Sequence, residues 1–231
     1  MIRVLQRHCN FNTNQEQKPR PEWFDREKIF DSFISTLDER VEYTAFHDSG
    51  KGEIEDHFLN SKDVKKISVE GGSDAKSLLN LFNYIKDQNY DDEDIIYLVE
   101  DDYLHKENWI DILLEGFNSI NADYYTLYDH PDKYFLPMYQ NLQSKIIATP
   151  SVHWRTTPST CNTYAGKWKT FKKHWEDHHI YWCLPENTHG GYDHAKFTKL
   201  WESGSNLMSC IPGYSTHAEA GMISPTINWT L

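Results

Sequence analysis

Short apolar runs and longer stretches with helical spacing alternate along the first 130 residues of the chain. The runs that predict strands cover residues 2–5, 41–46, 67–69, 95–99 and 123–128. Between them apolar residues recur every three or four positions, which predicts helices at about 25–37, 73–87 and 109–117. Strands that alternate with helices are typical of an α/β fold with a mostly parallel, doubly wound sheet.

The second half of the chain has a less regular pattern. Residues 144–149 and 153–157 flank a proline and predict a hairpin or two short strands. Helical spacing recurs over 164–178 and 193–202. The tail at 210–231 contains prolines and predicts a loop that wraps back on the domain.

The most informative segment is the apolar run 95–99, which leads directly into Glu100, Asp101 and Asp102. A continuous apolar run of this length predicts a strand that is buried on both faces. Three adjacent carboxylates repel one another unless a cation lies among them. Because open α/β sheets bind ligands at the carboxyl ends of their strands, this pattern predicts a divalent-metal site. The alternative is a strand that ends in a solvated acidic turn.

The buried strand followed by acids resembles the metal-binding DXD motif of the nucleotide-diphosphosugar glycosyltransferases with the GT-A fold. The resemblance covers residues 1–130 in the order of strands and helices and is sparser beyond them. It implies a single GT-A-like domain over 1–231, with a nucleotide-sugar-binding half at 1–130 and an acceptor or closing half at 131–231. It also implies that Asp102 binds the metal and that Glu100 and Asp101 lie nearer the donor ribose.

Members of this family often take a further metal ligand from a late loop, and the resemblance makes His217 the candidate here. The metal expected is Mn²⁺ or Mg²⁺, because hard cations prefer carboxylate oxygens and phosphate oxygens. A neutral imidazole suits Mn²⁺ better than Mg²⁺. The alternative for His217 is an ordinary surface or core histidine.

Two further loops follow predicted strands at the same edge of the sheet. Arg7 and His8 end the first strand, and Asp48 follows the second. By the resemblance these loops hold the base and ribose, with Asp48 accepting a hydrogen bond and Arg7 pairing with phosphate. The alternative for Asp48 is an Asx turn before Gly50.

A pair of glycines, Gly71 and Gly72, precedes the helix predicted at 73–87. Glycines at a helix N-terminus permit close approach of an anion to backbone N–H groups. Lys76 in the first turn opposes the helix dipole, which favours a position facing a phosphate. The alternative is an ordinary cap by Ser73 or Asp74. The spacing is neither that of a P-loop nor that of a dinucleotide-binding fingerprint.

The polar run after residue 152 has an aromatic residue inside it. Trp154 would cover the apolar face of a sugar, while Arg155, Thr156 and Thr157 meet its oxygens. We expect Trp154, Thr156 and Thr157 near the sugar or acceptor and Arg155 near the donor. The alternative is a β-hairpin with an ordinary surface.

A glycosyl transfer that inverts configuration needs a carboxylate within reach of the acceptor hydroxyl. Asp193 or Glu186 could be this base, and Asp129, at the end of another predicted strand, is the competing catalytic candidate. Asp193 follows a glycine-containing loop and is also suited to cap the helix at 193–202.

Composition narrows the possible partners. The net charge is −12, from 23 basic and 35 acidic residues, which argues against non-specific binding to nucleic acid or anionic membranes. The four cysteines form no Cys-x-x-Cys pair, so we expect free thiols in a reducing compartment. The apolar runs are too short to span a bilayer, and the N-terminus lacks the apolar core of a signal peptide. We therefore expect a cytoplasmic protein.

The resulting hypothesis is a metal-dependent glycosyltransferase that moves a hexosyl or deoxyhexosyl group from a nucleotide-diphosphate donor, most simply a UDP-sugar. Its acceptor is a glycan or another hydroxyl compound. Two alternatives stay open. One is a sugar nucleotidyltransferase, although residues 10–21 lack the glycine-rich basic segment typical of those enzymes. The other is a carbohydrate-binding protein without catalytic activity, favoured by 8 tryptophans and 14 tyrosines.

Overall fold

A computed structural model of the protein describes residues 1–9, 18–50, 57–180 and 193–231. Its strands are β1 Ile2–Cys9, β2 Val41–Asp48, β3 Lys66–Val69, β4 Ile95–Glu100, β5 Tyr103–His105, β6 Tyr124–Thr126, β7 Ile146–Ala148, β8 His153–Thr156, β9 Tyr164–Lys167, β10 Leu207–Ile211 and β11 Ser215–His217. Its α-helices are α1 Arg26–Ser35, α2 Asp74–Lys86, α3 Trp109–Ser119, α4 Asp132–Phe135, α5 Trp168–Lys173, α6 Trp175–Ile180 and α7 Asp193–Glu202. Short 3-10 helices lie at Phe58–Ser61 and Pro137–Tyr139.

Within these residues the central sheet has nine strands in the order β3-β2-β1-β4-β9-β6-β10-β8-β7. The pairs β3–β2, β2–β1, β1–β4 and β6–β10 are parallel. The expected α/β class with a mostly parallel central sheet flanked by helices is confirmed. Strand β1 runs four residues beyond the predicted segment 2–5, because β2 and β4 satisfy its backbone on both sides through Arg7.

The second half of the chain adds the antiparallel part of the sheet. Strands β7 and β8 form the predicted hairpin. The helix predicted at 164–178 is wrong at its start, because Tyr164–Lys167 forms β9 between β4 and β6 and the first helix begins at Trp168. The tail at 210–231 is more regular than predicted, since it contains the end of β10 and also β11, which pairs with β5 in a second, two-stranded sheet.

Helices cover both faces of the sheet and bury two large apolar clusters. One cluster joins α3 and β5 to Ile2 and Val4 of β1. The other joins α2, α5 and α7 to Leu5 of the same strand. Alternate residues of β1 therefore face opposite layers, so Arg7 points toward the α2 side and His8 away from it.

The local signals that place the helices are satisfied. Asp25 caps α1 by accepting a hydrogen bond from the Lys28 N–H at 3.1 Å, and Ser73 caps α2 by accepting one from the Lys76 N–H at 3.3 Å. Cys161 and Cys210 are free thiols, whereas Cys183 lies outside the described residues. None of the described helices is long and apolar enough to cross a membrane.

Candidate active site

The carboxyl ends of β1 and β4 lie side by side, with Arg7 opposite Glu100 in the parallel register. The two-stranded sheet sits beyond this edge, and its register places Tyr103 opposite His217. Residues that follow the strands therefore gather at one edge of the sheet, although they come from nearly opposite ends of the chain.

Asp102 lies at the centre of this edge and is 4% exposed. Its Oδ2 is 3.0 Å from the His217 Nε2 and 3.0 Å from the Arg20 guanidinium. The Ala218 N–H donates to the Asp102 carbonyl oxygen at 2.8 Å and fixes the backbone. Burial raises the pKa of Asp102, but His217, Lys18 and Arg20 outweigh it and hold that pKa well below its usual range.

The pair Asp102 and His217 supplies one carboxylate oxygen and one imidazole nitrogen. Among the described residues, no group of three histidine, cysteine or acidic side chains is arranged to hold a metal ion. The pair still fits a divalent cation that takes its remaining ligands from phosphate oxygens, since such cations often use one or two protein ligands. Its nitrogen favours Mn²⁺ over Mg²⁺. The Arg20 hydrogen bond to Asp102 would then rearrange.

The other two acids of the triplet point to different partners. Glu100 accepts from Arg7 at 3.0 Å, and Arg7 also donates to Asp74 at 2.8 Å. Burial raises the pKa of Glu100 to about 7, against the opposite effect of Arg7. Asp101 lies 3.6 Å from the Arg26 guanidinium and accepts a 3.5 Å hydrogen bond from the Cys9 N–H. The triplet is thus three separate pairs and not one chelating group.

Asp193 begins α7, and its negative charge contributes to raising the pKa values of both Arg7 and Glu100. Burial is the main influence on the carboxyl and raises the pKa of Asp193 to about 6. Its Oδ1 is buried and accepts no hydrogen bond from another described group. The Lys196 ammonium lies 3.9 Å from the same oxygen.

Three basic residues at this edge were not identified from the sequence. Lys18 and Arg20 come from the segment after β1, where Lys18 pairs with Glu219 at 3.3 Å and Arg20 with Asp102. The Ala220 N–H bonds the Pro19 carbonyl at 2.7 Å, so this segment packs directly on the chain after β11. The third, Lys196, is completely buried. Lys18 and Arg20 follow the first predicted strand, so the rule that residues after parallel strands gather at one end of the sheet was the available signal for them.

His8 and Asp48, the other residues predicted to bind the base and ribose, make contacts within the protein itself. His8 is buried against the rings of Phe30 and Phe58, and its Nε2 lies 3.2 Å from the Tyr43 hydroxyl. Asp48 accepts a hydrogen bond from the Gly50 N–H at 2.8 Å, and it therefore forms the Asx turn that was the alternative to a role in ligand binding. It also accepts from the Gly71 N–H at 2.9 Å.

The glycines at the start of α2 have different reasons for lacking a side chain. A Cβ at Gly71 would lie 2.2 Å from the Asp48 Oδ2, so this glycine makes room for that carboxylate. Gly72 has a φ of 69°, which favours glycine because other side chains rarely adopt that conformation. Lys76 lies exposed in the first turn of α2.

The structure brings Asp129 and Arg155 to each other. The Arg155 guanidinium donates to the Asp129 Oδ1 at 2.7 Å, and the Tyr134 hydroxyl donates to Oδ2 at 2.7 Å. Asp129 is fully buried, and burial raises its pKa. Both carboxylate oxygens already accept a hydrogen bond, which leaves this group poorly placed to receive a proton from an acceptor.

The residues predicted to contact sugar around β8 lie away from the acidic edge of the sheet. Trp154 is 0% exposed and packs in the core beside Gly116 and the Tyr125 ring, because alternation along β8 turns it toward α3. Strand β8 runs antiparallel to β10 and therefore away from the edge that holds Glu100. Thr156 and Thr157 consequently lie toward the opposite edge, where they line a groove of about 420 Å³.

Glu186 and residues 189–192 lie outside the described residues. The remaining candidate residues fall into two groups. One group lies at the acidic edge of the sheet and comprises Arg7, Glu100, Asp101, Asp102, Asp193 and His217. The other candidates lie elsewhere in the fold. That edge brings together a carboxylate and an imidazole that have the chemistry of metal ligands, two basic side chains beside them, and the buried Asp193 carboxylate.

Comparisons with known proteins bear on the fold. No protein-family model matches the sequence, and no curated protein matches it. Several solved structures resemble the chain. The TarS 1–349 structure from S. aureus has a TM-score of 0.54 and 12% identity over 93% of this chain and 59% of that one. The chain therefore spans about three fifths of the TarS chain in that structure.

Two other structures match over most of both chains. A nucleotidyl transferase from Methanothermobacter has a TM-score of 0.51 and 13% identity. The match covers 91% of this chain and 88% of the nucleotidyl transferase. A CMP:2-keto-3-deoxy-manno-octonic acid synthetase complexed with CTP has a TM-score of 0.51 and 11% identity, with 92% coverage of both chains. At these identities the comparisons establish a shared α/β fold.

Proposed function

We propose that the protein is a metal-dependent glycosyltransferase that moves a sugar from a nucleotide-diphosphate donor to a hydroxyl acceptor. The observation that carries this proposal is the Asp102–His217 pair, whose members are 115 positions apart and lie 3.0 Å from each other beyond the carboxyl end of β4. A buried carboxylate beside an imidazole is a donor set for Mn²⁺. The likeness of the fold to nucleotide-using transferases is a second support.

The diphosphate of the donor is proposed to lie over Asp102 and His217. A bound divalent metal would supply positive charge to the departing diphosphate, which is the main electrostatic demand of this transfer. Lys18 and Arg20 flank the same pair and would hold the phosphate oxygens directly. Arg7 stands one strand away and keeps Glu100 and Asp74 in place for contacts to the ribose.

Asp193 is proposed as the base that deprotonates the acceptor hydroxyl. Its buried Oδ1 accepts no hydrogen bond from another described group, and a buried acceptor without a donor is costly unless a ligand supplies one. With a pKa of about 6 the group is ionised at neutral pH and close to the range that favours general-base catalysis. Asp129, the competing candidate, already has a donor on each oxygen.

A sugar nucleotidyltransferase is the second candidate function. It is supported by the fold likeness to a nucleotidyl transferase and to a CTP-bound synthetase over about nine tenths of both chains. The two functions differ in the leaving group. A glycosyltransferase releases a nucleoside diphosphate from a nucleotide sugar, whereas a nucleotidyltransferase releases pyrophosphate from a nucleoside triphosphate.

Isothermal titration with UDP, GDP, CMP and CTP, with and without Mn²⁺, tests the proposal. We expect binding of a nucleoside diphosphate that requires Mn²⁺ and that Asp102→Asn and His217→Ala each weaken at least tenfold. The matched control is His153→Ala, since His153 is an exposed histidine on β8. Circular dichroism establishes that each variant is folded.

Product analysis then separates the alternatives. Release of UDP or GDP from a panel of nucleotide sugars supports glycosyl transfer, and release of pyrophosphate from CTP or UTP supports nucleotidyl transfer. Binding of free sugar without nucleotide or metal would favour the carbohydrate-binding alternative. Absence of any Mn²⁺-dependent nucleotide binding by the folded wild-type protein would refute the proposed function.

A further inference from the structure

Lys196 is a fully buried lysine on the inner face of α7. Its ammonium donates to the Asn162 Oδ1 at 2.6 Å and lies 4.6 Å from the centre of the Tyr164 ring. Burial of a charged amine is costly unless its surroundings compensate for the lost water. The Asn162 oxygen and the face of the Tyr164 ring supply part of that compensation.

The geometry of α7 directs that charge toward Asp193. Residues three positions apart lie on the same face of a helix, so Lys196 and Asp193 share one face. The ammonium lies 3.9 Å from the Asp193 Oδ1. Its other partner, Asn162, stands two positions before β9, and the next residue, Thr163, accepts a hydrogen bond from the Glu100 N–H at 3.2 Å. The anchor of Lys196 is thus part of the same edge as Glu100.

We propose that Lys196 is a positioning residue whose ammonium, anchored on Asn162, holds the Asp193 carboxylate ionised and directed toward the Arg7–Glu100 pair. The proposal rests on the proposed function, in which Asp193 accepts the proton of the acceptor hydroxyl. Lys196 itself need not touch the substrate. Its role is to keep Asp193 in the state and direction that the transfer requires.

Several charges act on Asp193 from the elements around it. Burial and the carboxylate of Asp74 on α2 raise the pKa of Asp193. Three positive charges lower that pKa: Lys196 on α7, Arg7 on β1 and Lys18 in the segment after β1. Glu100 on β4, Cys161 and Tyr164 also face it, and each has its own pKa raised in part by the Asp193 charge. Lys196 is the largest of the lowering influences.

Removal of the Lys196 charge should therefore raise the pKa of Asp193. A unit charge 3.9 Å away changes the pKa of a carboxyl by roughly one unit even in a water-like medium, and by more in a buried site. Lys196→Met keeps the length of the side chain and removes the charge, whereas Lys196→Arg keeps the charge. Lys199→Met is the matched control, because Lys199 lies on the same helix with its side chain 39% exposed.

Carbon-13 NMR of the aspartate carboxyls, with the Asp193 signal assigned from Asp193→Asn, measures the titration without any assay of transfer. We expect the Asp193 midpoint to rise by about one pH unit or more in Lys196→Met. Lys196→Arg and Lys199→Met should leave it within a few tenths of a unit. The acidic limb of the pH–kcat profile should shift with the NMR midpoint.

The wild-type protein provides a second measurement if Lys196→Met does not fold. Burial lowers the pKa of Lys196 to about 8, so its loss of a proton should appear as a second step near pH 8 in the Asp193 carboxyl signal. An Asp193 midpoint unchanged in Lys196→Met, or a single-step wild-type titration, would overturn the positioning role. Because NMR needs no substrate, that failure is distinct from an absence of nucleotide binding, which would refute the proposed function.

Discussion

His105 provides a stability prediction that does not depend on the function of the protein. The ring is buried at the end of β5, where its Nδ1 lies 3.2 Å from the Tyr103 carbonyl and its Nε2 lies 2.7 Å from the Tyr97 hydroxyl. A carbonyl can only accept, so Nδ1 carries the proton and Nε2 accepts from Tyr97. Protonation of Nε2 would remove that acceptor and place a charge in the core.

Burial is the main cause that lowers the pKa of His105 to about 3 in the folded protein. In the unfolded chain the pKa of a histidine is about 6.5. Below about pH 6.5 the unfolded state therefore binds one more proton than the folded state, and stability falls as pH falls. Between pH 7 and pH 4.5 this single group should lower the free energy of unfolding by about 2.5 kcal/mol. The figure depends little on the folded pKa, since both pH values lie above it.

Urea unfolding of the wild type and of His105→Gln at pH 7 and at pH 4.5 measures this effect. Glutamine retains hydrogen-bonding groups near Tyr97 but does not titrate. We expect the variant to be less stable than the wild type at pH 7 and to lose about 2.5 kcal/mol less than the wild type on acidification. Parallel losses in the two proteins would refute the assignment of His105 as a buried neutral histidine.

Two further substitutions test the packing that the structure assigns. Trp154→Ala should cost about 3–5 kcal/mol and lower the melting temperature by roughly 10 °C, because the ring is fully buried. Trp201→Ala, at a tryptophan that is 70% exposed, should change the melting temperature little, and equal effects would contradict the core position of Trp154. Gly71→Ala should cost about 1–3 kcal/mol, since its Cβ would overlap both the Asp48 carboxylate and the backbone of Ser77. Asp48→Ala should recover part of that cost in the double variant, and strict additivity in denaturant unfolding would argue against the overlap.

The helices and strands that the sequence predicted best are those whose signals are local. Asp25 and Ser73 cap their helices, because a cap needs only a side-chain oxygen and an N–H three residues away. The strand at 95–99 was evident because both of its faces are buried and its residues are uniformly apolar. Strand β9 was mistaken for part of a helix, since it is short and is stabilised by pairing with β4 and β6 from distant parts of the chain.

The candidate site was predictable only in part, for a related reason. The order of the motifs indicated that residues after several strands would meet at one sheet edge, and Asp102 and His217 do lie together there. Their role as metal ligands stays a prediction. The direction of each side chain was not predictable, since Trp154 and Thr156 belong to a strand whose antiparallel orientation follows from its distant partner β10.

The sequence by itself determined the class of the fold, most of its strands and helices, and the acidic end of β4. These properties follow from the periodicity of apolar residues and from local hydrogen bonds, both of which act within a few positions of the chain. Only the tertiary structure decided that the three adjacent acids have separate partners, that Arg20 joins Asp102, and that Lys196 is buried beside Asp193. The partners of the three acids come from segments whose neighbourhood depends on sheet order and helix packing. Asp193 and Lys196 are neighbours on one helix, but the burial that shifts their pKa values exists only once that helix has packed on the sheet.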